Sequence, residues 1–172
     1  YDPSIPHGTL ISSTFQSEIL DNSRSIKIYL PPEYDTSIEY YPLLLFHDGL
    51  EYISFAKTNN ILDNLIAENK IPKVIALFVP PVERNPEYID AKQDKFTDAI
   101  ISELIPWTEG NYRVSASPSS RVVLGSSAGG NISLYIAMKH SEIFGKVAAF
   151  SSYIENDILS AFRAVSYTHL TL

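Results

Sequence analysis

Ser127 lies between two glycines, in Gly125-Ser126-Ser127-Ala128-Gly129-Gly130. A serine hydroxyl is a weak nucleophile at neutral pH. It becomes a useful one when a base takes its proton and fixed N–H groups meet the charge that develops on the attacked group. The pattern G-x-S-x-G delivers such a hydroxyl when a strand precedes it and a helix follows, because the sharp turn lifts the serine above the sheet. Only the frame Gly125-x-Ser127-x-Gly129 fits, so Ser127 is the candidate nucleophile and Ser126 a filler. A Cβ at 125 or 129 is expected to collide with neighbouring backbone in so tight a turn. The N–H of Ala128 would open the following helix, where the dipole favours negative charge. The competing reading is a phosphate-binding loop. Neither the lysine of G-x-x-x-x-G-K-[ST] nor a G-x-G-x-x-G is present.

Two other stretches carry groups able to do chemistry. His47-Asp48-Gly49-Leu50 follows an apolar run, where a loop supplying N–H groups would stand. His47 reads as a buried, hydrogen-bonded histidine and Asp48 as a turn-former. Arg84, Glu87 and Tyr88 form the second cluster, which suits either substrate polar groups or a structural ion pair. His7 and His140 read as loop residues. The four histidines lack metal-ligand spacing and there is no cysteine, so no metal and no cofactor is expected. Asn131-Ile132-Ser133 fits a glycosylation sequon but falls inside the helix after Ser127.

The elements that must position these groups can be read from periodicity. Thr9–Leu20 and the alternating Ser25–Leu30 read as two strands joined at Asn22-Ser23. Pro31-Pro32 ends the second, since proline cannot donate to a ladder. Tyr41–Phe46 and Lys73–Val79 are nearly all apolar, as strands buried on both faces are. Between them a helix is expected over about 55–68, with Ile61, Leu62, Leu65 and Ile66 inward. Another is expected over about 94–109, with Phe96, Ile100, Leu104 and Trp107 inward and Pro106 bending or ending it. Lys146–Phe150 is the last clear strand. Alternating strands and helices predict an α/β fold with a mostly parallel sheet. Ligands bind such sheets at the carboxyl ends of the strands, which is where Asp48, Arg84 and Ser127 fall.

The 172 residues suit one domain, and 45% apolar with 19% charged residues suits a globular core. A net charge of −7 argues against nucleic acid or an anionic membrane as partner. No apolar run reaches the roughly 18 residues that a membrane helix needs. The compartment stays open, cytoplasmic or, after removal of a signal peptide, periplasmic or secreted. So does the oligomeric state.

Several separate motifs together resemble the esterase D, or enterochelin-esterase-like, branch of the α/β-hydrolases. They are Pro6-His7-Gly8, SEILDNSR from Ser17, IYLPPEYD from Ile28, YPLLLFHDG from Tyr41, FVPPVERNPEY from Phe78, ELIPWTEGNYRV from Glu103, RVVLGSSAGG from Arg121 and HSEIFGKVAAFSS from His140. The resemblance implies a three-layer α/β-hydrolase sandwich, with Leu50 N–H as second oxyanion donor beside that of Ala128. It implies a serine ester hydrolase working through an acyl-enzyme. Siderophore esters, feruloyl or acetyl groups on polysaccharide, S-acyl glutathione-type thioesters and acyl transfer to a sugar all occur on this scaffold. Asp48, Arg84, Glu87 and Tyr88 are the candidate substrate-binding residues. The alternative is a non-catalytic binding or structural module on the same fold.

In such hydrolases the acid and then the histidine follow the serine. By the family pattern the strands that carry them lie beyond this chain, and Glu155 and Asp157 come too early. The stretch Val165–Leu172, VSYTHLTL, with His169, departs from the pattern and resembles translated sequencing-adapter read-through of a metagenomic fragment. The sequence therefore predicts a partial esterase domain over 1–163 and a non-native tail over 164–172. A sheet cut short in this way is expected to be aggregation-prone and catalytically inactive.

Overall fold

Nine-residue strands at each end of a tight turn start the fold. β1 (Thr9–Ser17) and β2 (Asn22–Leu30) pair antiparallel, with Thr9 opposite Leu30 and Ser17 opposite Asn22. The turn between them is Glu18–Asp21, with Asp21 at φ 51°. Asn22 and Ser23 thus belong to the strand, not to the turn that the sequence predicts. The reason is a long-range clasp. The Glu103 carboxylate accepts from Ser17 Oγ and from the N–H groups of Glu18 and Ile19, which fixes the turn four residues earlier.

The computed structural model describes residues 2–152. After the hairpin come β3 (Leu43–His47), α1 (Gly49–Ser54), α2 (Thr58–Ala67), β4 (Ile75–Val79) and α3 (Arg84–Ile89). A long helix then runs as α4 (Gln93–Ala99), a π-helical stretch Ile100–Leu104, and α5 (Ile105–Asn111). Pro106 is the local cause. It lacks an N–H, so the ladder needs no ordinary bond there, and a wider turn absorbs it without ending the helix. β5 (Arg121–Ser126), α6 (Ala128–Lys139) and β6 (Lys146–Phe150) complete the described elements.

The sheet order is β1-β2-β4-β3-β5-β6. β4, β3, β5 and β6 run parallel, and the hairpin joins antiparallel through β2 on β4. Every residue of β4 is buried, as its unbroken apolar run requires. One core lies under α3, α4 and α6 and includes Leu43, Leu45, Leu77, Val123, Ile132 and Phe96. A second, on the other face, gathers Tyr29, Phe46, Phe78 and Leu62 beneath α1 and α2. This is the mostly parallel, helix-flanked α/β sheet expected.

The helix expected over about 55–68 is α2, which starts at Thr58 after Lys57 at φ 52°; α1, just before it, is not anticipated in the sequence. Its inward stripe also differs. Leu62 is buried, but Ile61 is 45% exposed and Asp63 takes the inner position. The Asp63 carboxylate accepts from Tyr29 Oη at 2.7 Å, from Gly8 N–H at 2.8 Å, and bonds His7 Nδ1 at 2.9 Å. A fully partnered carboxylate can occupy a core position that apolar periodicity alone assigns elsewhere. The expected tail over 164–172, with Glu155, Asp157 and His169, lies outside the described residues.

Candidate active site

Gly125 and Gly129 shape the turn between β5 and α6. A Cβ on Gly125 would run into the backbone carbonyl of Gly129, and one on Gly129 would stand 2.8 Å from Asp48 Oδ2. Between them Ser127 adopts φ 55° and ψ −123°, a conformation that costs an L residue strain. Its N–H donates to Phe150 C=O at 2.9 Å, which ties the turn to the end of β6. Ser127 is exposed while its neighbours Gly125, Ala128, Gly129 and Gly130 are buried. The first bonds into α6 come from Gly130 and Asn131 N–H to Ser127 C=O. The Ala128 amide is thus among the leading N–H groups that a helix cannot pair internally.

The loop after β3 approaches this turn. Asp48 takes a left-handed conformation, φ 54° and ψ 36°, and α1 starts at Gly49. Gly49 is required because a Cβ there would penetrate the backbone of Phe78 and Val79. Glu51 N–H bonds back to Asp48 C=O at 3.1 Å, which leaves the amides of Gly49 and Leu50 ahead of the first turn's bonds. Asp48 and Gly129 abut, so the loop carrying Leu50 N–H and the turn carrying Ala128 N–H share one corner of the sheet's carboxyl edge. An exposed hydroxyl next to unpaired amides can attack a carbonyl and hold the resulting oxyanion.

The second cluster divides in two. Arg84 grips the Asp48 carboxylate with two bonds, Nε to Oδ1 at 2.8 Å and Nη2 to Oδ2 at 2.7 Å. The pairing raises the guanidinium's pKa above its ordinary value. The Arg84 side chain stays 42% exposed, that of Asp48 only 12%. Glu87 faces the other way. It is fully buried and takes both guanidinium nitrogens of Arg24, at 3.0 and 3.1 Å, plus Val82 N–H. Tyr88 is also fully buried. Its hydroxyl accepts Asp48 N–H at 3.0 Å, and its carbonyl accepts from Asn131 Nδ2. Burial, with Asp48 nearby, pushes the Tyr88 pKa well up, so it stays a neutral phenol. For Glu87 the structural ion pair is therefore the reading that fits, with Arg24 and not Arg84 as partner. Glu87 and Tyr88 expose no surface to a ligand. Arg24 and the role of the Tyr88 hydroxyl are absent from the sequence reading, since both contacts join residues far apart in the chain.

His47 ends β3 with its ring against Tyr88 and Phe96, centroids 5.4 and 5.6 Å away. Both ring nitrogens are buried and without partner among the described residues, contrary to the expected hydrogen-bonded histidine. Burial first, and the Arg24 charge second, depress its pKa to about 3. It is a neutral ring packed among aromatics. His7 bonds Asp63 and His140 bonds Glu142, so no described histidine is hydrogen-bonded to Ser127 Oγ. Asn131 lies buried in α6, where a glycan has no room. Among the described residues no group of three His, Asp or Glu could hold a metal ion, and no helix is long and apolar enough to cross a membrane.

Relatives share both sequence and architecture. The uncharacterized protein YbbA of Bacillus subtilis is 29% identical over 149 residues, covering 78% of this chain and 59% of its own length. An endo-1,4-beta-xylanase/feruloyl esterase of Xylanibacter ruminicola is 28% identical over 181 residues, covering 97% of this chain and 25% of its own. The enterobactin esterase FES of Shigella flexneri, solved in the presence of enterobactin, superposes with a TM-score of 0.82 at 24% identity, over 94% of this chain and 44% of that one. This last likeness shows the α/β-hydrolase fold. The profile of the Esterase family matches residues 17–161, most of the chain, and on that match this chain belongs to the Esterase family.

Proposed function

We propose that the protein is a serine carboxylic-ester hydrolase with Ser127 as nucleophile. The observation that carries the reading is the exposed Ser127, held at φ 55° and ψ −123° between Gly125, where a Cβ would strike backbone, and Gly129, where one would crowd the Asp48 carboxylate. A strained turn that lifts one hydroxyl out of a buried corner has no evident packing purpose. In the proposed cycle the Ser127 Oγ–carbonyl bond forms as the ester C–O bond breaks, and the hydroxyl proton passes through a base to the departing alcohol. Water then cleaves the acyl-enzyme. Ala128 and Leu50 N–H groups hold the oxyanion in both steps. The base and its acid are assigned to sequence downstream of the described residues. Of the substrate-binding candidates, Arg84 has the most open side-chain surface. The feruloyl esterase and enterobactin esterase among the relatives point to feruloyl esters on polysaccharide or to siderophore esters. Domain 1–163 is then the nucleophile-bearing part of the hydrolase.

The test is a fluorophosphonate probe on a full-length version of the protein. Covalent labelling at Ser127, lost in Ser127→Ala, is the expected result. Absence of labelling there would leave the non-catalytic module as the reading. The 172-residue chain alone is expected to give no Ser127-dependent hydrolysis of p-nitrophenyl acetate.

A further inference from the structure

Asp48 stands between the two halves of the proposed oxyanion hole. Its backbone leads directly into Gly49 and Leu50. Its Oδ2 presses on Gly129, so closely that a Cβ there would sit 2.8 Å away. Nothing in its own conformation explains the stability of this arrangement. A left-handed φ of 54° is open to an aspartate without being fixed by it, and α1 offers no side-chain cap at Asp48. What holds it comes from α3. Arg84 takes both carboxylate oxygens in the two-pronged geometry that fixes direction as well as distance. One turn on, the Tyr88 hydroxyl accepts Asp48 N–H. α3 is in turn tied to the helix after Ser127, because Tyr88 C=O accepts from Asn131 Nδ2 at 3.2 Å. The same short helix therefore grips the loop and the turn.

We propose that Arg84 is a positioning residue: with Tyr88 it clamps Asp48, and Asp48 sets Leu50 N–H against the Ser127–Gly129 turn. This rests on the serine-hydrolase reading and goes beyond it. A substrate-binding arginine would act by touching the ester, whereas this one acts through a carboxylate that it already holds. The two roles separate in kinetics. Contacts made equally to substrate and transition state change KM, and loss of a transition-state donor changes kcat.

The experiment uses the full-length protein with Arg84→Gln, Asp48→Asn and the double variant. Asparagine tolerates the left-handed backbone, and Arg84 is half-exposed, so both folds should survive. Each single variant is expected to lower kcat by roughly 10- to 100-fold, somewhat less than the loss of a whole oxyanion donor, with KM within about twofold. The double variant should be no slower than the slower single one, as expected of residues acting as a unit. Arg84→Lys, which restores charge but not the fork, should recover part of the rate. A raised KM with unchanged kcat, or additive losses, overturns the proposal. Amide hydrogen exchange at Asp48, Gly49 and Leu50 is measured alongside and needs no turnover. Faster exchange in Arg84→Gln is expected, and unchanged exchange also overturns the clamp. If the unmodified protein neither labels nor turns over, the hydrolase reading fails, and exchange alone decides whether the clamp exists.

Discussion

His47 shows how a single residue can carry both a fold and a pH response. The end of an apolar strand places it in the core, and no described group pairs with its ring. The folded-state pKa of about 3 lies below the ordinary 6.5. The folded protein thus binds fewer protons than the unfolded chain between these values, and stability falls as pH drops from 6.5 toward 3. Above 6.5 the contribution is complete. The slope from this group approaches about 1.4 kcal/mol per pH unit. Urea unfolding at pH 7 and pH 4.5 should show the loss in the parent and a shallower one in His47→Gln. Equal slopes would refute the assignment. The sequence placed His47 inside but paired it, because burial of a polar ring ordinarily requires a partner. Ser127 was legible for a different reason. Two glycines at fixed spacing state a backbone conformation directly, and Asp48-Gly49 likewise marks the turn, but the Arg84 grip on Asp48 joins residues far apart in the chain and has no local signature.

At the scale of elements, the parallel strands were readable because each is largely apolar, but their order in the sheet was not. The helices were less readable than the strands. The helix α1, the π-helical turn at Ile100–Leu104 and the helix at Arg84–Ile89 depend on partners elsewhere. α3 is the clearest case. Glu87 is read from sequence as a possible ligand group, yet it anchors α3 to β2 through Arg24, with both side chains at most 2% exposed. Glu87→Ala leaves the guanidinium buried and uncompensated, which should cost about 3–5 kcal/mol. Equilibrium urea denaturation measures this. The paired replacement Arg24→Met with Glu87→Leu should recover most of the loss. A single variant within about 0.5 kcal/mol of the parent would mean that the pair is incidental.

For the whole molecule, the sheet ends unequally. On one side β1 pairs with β2 alone among the described residues. On the other, β6 pairs with β5 alone among the described residues, and it leaves Val147 39% and Phe150 52% exposed. Such an edge invites strand pairing between copies. Light scattering against concentration should show self-association of the 172-residue chain, reduced by Val147→Lys, since a charge on an edge discourages pairing. A monomeric chain at high concentration would argue against an accessible edge.

The wide turn at Ile100–Leu104 has a consequence for angular phase. Each residue in a helix advances the side chains by about 100°, so a π-helical turn resets the direction in which everything after it points. Before it, Phe96 faces the sheet. At it, Glu103 reaches the β1–β2 turn, and beyond it Trp107 meets Phe15 edge-on at 6.3 Å. The stretch behaves as one residue inserted into a helix whose two ends are already engaged: deleting one residue within 100–104 should close the wide turn into regular helix and leave Phe96 on the sheet and Trp107 on the hairpin.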